Sequence, residues 1–249
     1  MTRLVPVPRV RRWIRHEKLF DYPAKRDALR AAYPDLDWRH MRLAKGGGSL
    51  AFILNNRYVF KVRKHYERDN SAEKFAREKR ITDAIAGVIP VRVPQIELVH
   101  AGKYLFYKTE FIPGRVLVDL PLERIREHRE KIGAQLGDII YTLFNTDFPQ
   151  LADMRKKTTD ADIGLVHGDM CSNIIVNPET MDVVGIIDWE YATFGSLKRE
   201  FIGLFRVRRK MRQTDIAPEV MWRYYQRAAE NGQPQKAGRK KVTSKNLTK

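Results

Sequence analysis

The chain has 249 residues, 43% of them apolar, and a formal net charge of +17. That apolar content can bury one core or two modest ones, and no apolar run reaches the ~18 residues that a bilayer-spanning helix needs. A single cysteine, Cys171, excludes an internal disulfide, which fits a reducing, cytoplasmic setting.

The opening stretch MTRLVPVPRVRRWIRHEK has no continuous apolar segment followed by a small-residue cleavage site, so a secretory signal is not expected. Residues 1–20 are basic with two prolines and read as an irregular arm. Residues 24–32 (AKRDALRAA) predict a short helix ending near Pro34. KGGGSLAFILNNRYVFKVRK then reads as a glycine-rich turn, a strand over 50–54, a tight Asn55-Asn56 turn and a strand over 57–62, because asparagine tolerates the positive φ of a hairpin. The spacing predicts a helix over 71–86 with Phe75, Ile81 and Ile85 on one side, and Glu78 among them. After two prolines, IELVH and YLFYKTEFI form a second hairpin around Ala101-Gly102-Lys103, closed by Pro113-Gly114.

From Leu122 the pattern becomes helical. Ile125, Ile132, Leu136, Ile139 and Leu143 fall on one stripe of a single long helix running to Phe144. GLV, NIIV and VVGII read as short strands, the last two joined by a turn over 178–182, and helices near 197–212 and 218–230 end the body. The chain is therefore expected to be α+β in class: a basic arm (1–20), a β-rich lobe (21–115), a mainly α lobe (116–233) and a tail (234–249). The tail carries six cations and no acid. A solvated, disordered end is its simple reading. A nuclear address or a weak polyanion contact is the other.

Four groups of residues carry chemistry, in chain order: Gly46, Gly47, Gly48 and Ser49 in a turn between strands; Lys61 on the next strand; Glu78 on the apolar side of the next helix; and Asp169, Asn173 and Asp188 at the ends of short apolar runs. Glycines let backbone N–H groups approach phosphate oxygens, and a lysine offers them a point charge. A glutamate on an apolar face needs a cationic partner. Asp and Asn supply the hard oxygens that Mg²⁺ takes, and a further Asp can accept the proton of an attacking hydroxyl.

His-Gly-Asp followed by Asn173 and then by Ile-Ile-Asp-Trp-Glu, with GGGS and VFKV upstream, resembles the aminoglycoside phosphotransferase and choline kinase family. The resemblance spans roughly residues 40 to 205. It implies a protein-kinase-like two-lobed fold and ATP-dependent, Mg²⁺-dependent transfer to a small-molecule hydroxyl. It implies that Asp169 is the catalytic base, with His167 ordering its loop, and that Asn173 and Asp188 bind the metal. Lys61 would bind phosphate with Glu78 as its partner. The backbone of Glu110-Phe111-Ile112 would bind adenine.

Two departures stand out. Only Met170, Cys171 and Ser172 separate Asp169 from Asn173, where the family usually has four residues. About 45 residues lie between Asp188 and the basic tail, where the family builds much of its acceptor site. Trp189, Tyr191, Trp222, Tyr224 and Tyr225 read either as acceptor-pocket aromatics or as core. Between Leu197 and Arg227 the cations outnumber the acids Glu200, Asp215 and Glu219, which predicts a neutral or anionic acceptor. The competing expectation is a catalytically impaired pseudoenzyme that binds a polyanion or a protein.

Overall fold

The computed structural model describes residues 21–45, 48–64, 70–155, 163–205 and 209–232. The chain divides into two compact units: the residues up to Arg77 with Ile96–Phe111, and Glu78–Gln95 with the residues from Ile112 onward. The expected division at 115/116 did not assign the segment 78–95 to the second unit. That assignment follows from packing, because Ile81, Ala84, Ile85, Ile89 and Val93 bury their side chains in the larger apolar cluster. The basic arm, Gly46, Gly47 and the basic tail lie outside the described residues. The polyanion contact expected of the tail has no support.

The first unit is one antiparallel sheet covered on one face by a helix. Helix α1 (Tyr22–Ala32) precedes β1 (Met41–Lys45), β2 (Ser49–Leu54), β3 (Tyr58–Arg63), β4 (Glu97–Ala101) and β5 (Tyr104–Glu110), in the spatial order β1-β2-β3-β5-β4. Alternation along each strand sorts the faces. Leu50, Phe52, Leu54, Phe60, Val62 and Phe106 point to the core, where Tyr22 and Leu29 of α1 meet them, and Tyr22 stacks on Phe52 at 5.5 Å. Asn55 and Asn56 both adopt positive φ, and the Arg57 N–H closes the turn on the Leu54 carbonyl at 2.8 Å. Strand β1 was not expected from sequence. It is an edge strand whose only large apolar residues, Met41 and Leu43, pack part-buried on the core, too few to mark a period of two.

Helix α2 (Ser71–Ile85) serves two clusters rather than the single stripe expected. Phe75 joins Ile96, Leu105 and Tyr107, whereas Ile81 and Ile85 join the large core.

The second unit holds β6 (Arg115–Val116), helices α3 (Leu122–Glu127) and α4 (Arg129–Asn145), strands β7 (Gly164–Val166), β8 (Ile174–Val176), β9 (Val183–Ile186) and β10 (Thr193–Gly195), and helices α5 (Leu197–Phe205), α6 (Arg209–Arg212) and α7 (Ile216–Glu230). The helix expected to run unbroken from Leu122 is two, separated at His128. Nδ1 of His128 takes the Arg124 carbonyl at 3.0 Å, while its backbone N–H turns to Ile125. Of the helix expected over 197–212, α5 and α6 are the described parts, and residues 206–208 lie outside the described residues. The α4–α7 contact rests on missing side chains. A Cβ on Gly133 would stand 2.3 Å from Cβ of Glu219, and one on Gly137 would stand 2.7 Å from Cβ of Arg223. Arg223 Nε then donates to Asp138 at 2.7 Å along the same contact. Among the described residues no helix is long and apolar enough to cross a membrane.

Candidate active site

Asp169 and Asp188 follow strands of two different sheets: β7 pairs with β10, and β9 pairs with β8. What joins the two loops is a set of hydrogen bonds. The Ile187 N–H, just before Asp188, donates to the Asn173 carbonyl at 3.0 Å. The Ile187 carbonyl takes Nε2 of His167 at 3.0 Å. Since Nε2 must donate there, the neutral ring leaves Nδ1 as an acceptor, and Nδ1 takes the Asp169 N–H at 3.2 Å. With no solvent exposure and its ring 4.5 Å from that of Trp189, His167 holds the Asp169 backbone rather than reaching a substrate.

The shortened loop closes by a tight turn. Residues Met170–Ser172 form a 3₁₀ turn, and Nδ2 of Asn173 folds back onto the Asp169 carbonyl at 2.7 Å. That bond commits the amide nitrogen and leaves Oδ1 as the metal-type donor. Asp188 is a non-glycine residue in the left-handed region, φ 61° and ψ 63°, a conformation that costs roughly 1–2 kcal/mol for an L residue. It re-aims the chain between β9 and the 3₁₀ turn Trp189–Tyr191. Gly168 sits at φ +82°, and a Cβ there would lie 2.8 Å from the Tyr191 carbonyl, so this turn admits only glycine.

Glu78 and Lys61 lie in different units. Glu78 is buried, and its Oε1 accepts the N–H of Trp189 at 3.2 Å, so this carboxylate steadies the residue after Asp188, a role the sequence did not indicate. Lys61 is buried on the face of β3 opposite the core, its Nζ 5.1 Å from the centroid of the Tyr107 ring. Ser49 is buried beside Arg63, Glu110 is exposed at the end of β5, and Ile112 begins the second unit's later segment. Of the five aromatics, Trp189 and Tyr224 are core, while Tyr191 and Trp222 are exposed.

One buried acid at this site was counted in the sequence only for its charge. Glu200 on α5 is 2% exposed, and its Oε2 accepts the Gly168 N–H at 3.1 Å. Its Oε1 is buried without a hydrogen-bond partner among the described residues. Burial raises its pKa to about 7 against the opposing pull of the Gly168 and His167 backbone and the Arg199 charge, while Asp169 adds to the rise. A signal was present: Leu197, Glu200, Phe201 and Leu204 recur at helical spacing, so Glu200 lies on an apolar stripe as Glu78 does.

The residues present fit a magnesium ion. Asn173 and Asp188 offer oxygen donors alone, and no group of three His, Cys, Asp or Glu gathers into a cage among the described residues. Mg²⁺ is held in just that way, by one or two protein oxygens together with water and substrate phosphates.

A family model described as the phosphotransferase enzyme family (APH) matches residues 119–234. A search of curated proteins found no match. The fold is similar to that of aminoglycoside phosphotransferase APH(2'')-Ib with ADP bound (TM-score 0.64, 15% identity, covering 83% of this chain and 84% of that one). It is also similar to the GDP complex of aminoglycoside 2'-phosphotransferase-IIIa (TM-score 0.65, 13% identity, 84% of each chain). A third is macrolide 2'-phosphotransferase MphH from Brachybacterium faecium (TM-score 0.55, 15% identity, 84% of this chain and 82% of that one). The resemblance seen in the sequence is thus borne out: the fold is α+β and protein-kinase-like, and residues 119–234 match the phosphotransferase enzyme family.

Proposed function

We propose that the protein transfers the γ-phosphate of ATP to a hydroxyl of a small molecule. The observation that carries this reading is the hydrogen-bonded joining of the Asp169, Asn173 and Asp188 loops through Ile187. The shortened loop supports it as well, since Asn173 keeps its side-chain oxygen uncommitted by the fold-back bond. Lys61, with the turn at Gly48 and Ser49, binds nucleotide phosphates, and the backbone from Glu110 to Ile112 receives adenine.

Asp188 and Asn173 hold Mg²⁺, which when bound neutralises charge on the phosphates. Asp169 orients the acceptor hydroxyl and accepts its proton as the oxygen attacks in line. His167 and Glu200 hold the backbone on either side of Gly168, so that the Asp169 carboxylate needs no reorganisation during transfer. Positioning and charge neutralisation supply most of the rate.

The acceptor is neutral or anionic in this reading. Two of the cations behind that expectation, Arg223 and Arg227, are engaged with Asp138 and Glu230. Lys198, Arg199 and Arg212 remain as exposed cations of the described region. Solved structures of the same fold are named for complexes with streptomycin and with kanamycin, so cationic acceptors are the comparison that decides.

The experiment is a thermal-shift titration with ATP, with and without Mg²⁺, followed by nucleotide-consumption assays over a hydroxyl-acceptor panel. A Mg²⁺-dependent shift and turnover of a neutral or anionic acceptor are expected. Strong turnover of kanamycin or choline would refute the acceptor assignment. No response to any nucleotide, together with salt-sensitive RNA or DNA binding, would replace the enzyme reading with that of a binding scaffold.

A further inference from the structure

We propose that Glu200 and Gly203 of α5 are positioning residues for phosphoryl transfer, and that loss of the Glu200 proton raises the transfer rate; this rests on the reaction proposed above. Residues three apart on a helix lie on one face. Both of these meet Gly168, the residue before Asp169. Glu200 Oε2 accepts the Gly168 N–H at 3.1 Å. A Cβ on Gly203 would stand 3.2 Å from the Gly168 carbonyl oxygen, so only a glycine lets the helix come this near without pressing on the loop. Helix α5 therefore meets Gly168 at its N–H and at its carbonyl. The next backbone groups are held as well: the Asp169 N–H goes to His167 Nδ1, and the Asp169 carbonyl takes Asn173 Nδ2.

The carboxylate at this contact is half answered. Oε2 has its N–H, while Oε1 is buried with no hydrogen-bond partner among the described residues. A carboxylate that served only as an anchor would bond both oxygens, since a buried polar atom left alone is costly. Burial raises the Glu200 pKa to about 7, and Asp169 adds to the rise against the Gly168 and His167 backbone and Arg199. The charged groups that bear on it are therefore Arg199 of its own helix and Asp169 of the loop. The His167 ring is committed to Ile187 and Asp169. From α7, Tyr224 meets α5 at Phe201, with ring centroids 6.0 Å apart, and α6 contributes the buried Met211.

The influence of Asp169 on Glu200 is reciprocal. A negative charge at position 200 makes the Asp169 carboxylate a stronger proton acceptor. Ionised Glu200 also holds the Gly168 N–H more firmly, because a charge-assisted hydrogen bond is roughly twice as strong as a neutral one. Both effects have the same sign. As pH rises through about 7, the loop tightens and its base strengthens, while the same ionisation weakens the fold.

The test is the pH profile of kcat and KM, read as ATP consumption at saturating Mg²⁺ with the acceptor that the hydroxyl panel turns over fastest. Wild-type kcat is expected to rise about 3- to 10-fold between pH 6 and pH 8, with the KM for ATP constant to within about twofold. Glu200→Gln has no proton to lose there and should stay at the low value throughout. Glu200→Asp, with a shorter reach, should keep part of the rise at a displaced pH. Gly203→Ala should lower kcat about 3- to 10-fold at every pH, leaving the KM for ATP and the rise in place. A wild-type rate flat from pH 6 to pH 8 would overturn the inference and leave the proposed reaction standing. So would a rise shared by Glu200→Gln, or a Gly203→Ala protein as fast as wild type. If Glu200→Gln does not fold, Glu200→Asp decides, and a profile identical to that of wild type would overturn the inference. No ATP consumption with any acceptor would remove the proposed reaction itself, and this inference with it.

Discussion

The two units place their charged residues by different means. On the first, Lys61 and Arg63 are cations fixed by the alternation of one strand. On the second, Asp169, Asp188, Glu78 and Glu200 are carboxylates on turns and helices, linked through long-range bonds such as Gly168 to Glu200 and Trp189 to Glu78. A strand sets side-chain direction from its own sequence, whereas a turn must borrow its geometry from residues far along the chain. The cations' placement therefore depends on register, and the carboxylates' placement on a network.

The largest expected effect probes the network's purpose. Asp169→Asn removes the proposed proton acceptor yet leaves its backbone carbonyl, the group that Asn173 binds. Transfer should fall by roughly 10²- to 10⁴-fold, while the ATP-induced thermal shift stays. Equal turnover in the variant would show that the carboxylate is structural and that the contrast between the units has no catalytic meaning.

Next comes Glu200, where the network meets pH. Its folded pKa of about 7 lies above the ordinary carboxylate value, so the folded state holds the proton more tightly than the unfolded chain. The stability this group contributes is full below about pH 4.5 and is lost as pH rises toward 7. The facing groups are the Arg199 and Asp169 charges and the backbone of His167 and Gly168. Glu200→Gln should abolish that slope, on the order of 3 kcal/mol across the window. Urea unfolding of both proteins between pH 4.5 and 7.5 measures it, and parallel curves would mean that Glu200 is charged throughout.

The same contrast explains what could be read in advance. The hairpins of the first unit, the helix at Glu78 and the His-Gly-Asp and Ile-Ile-Asp strands announce themselves through local period and turn residues. Strand β1 does not, because an edge strand with two apolar residues has almost no pattern to show. Nor do the His128 break or the pairing of β7 with β10, since both are decided by partners elsewhere in the chain. Glu200 was legible in principle, as an acid on an apolar stripe.

A smaller effect tests the α4–α7 helix pair of the second unit. Gly137→Val would put two methyl groups where Arg223 already stands, and overpacking of this kind costs about 1–3 kcal/mol. The Asp138 ion pair shares that contact. The loss should therefore exceed what reduced helix flexibility gives back, and chemical denaturation would reveal it. A neutral or stabilising result would mean that α7 can move away from α4 freely.

The smallest effect belongs to the first unit and sets the scale for its charges. Lys108 donates to Glu97 across β5 and β4 at 2.8 Å, and the Glu97 carboxylate raises the Lys108 pKa. Glu97 is 61% exposed on its side chain, so water and salt screen the pair. Glu97→Ala should lower stability by only about 0.2–1 kcal/mol, and by less at high salt. The exposed pair and the buried cations share one sheet, and only the latter are shielded from solvent. A salt-insensitive loss of several kcal/mol at Glu97 would place the sheet's electrostatic weight at its rim rather than along Lys61 and Arg63.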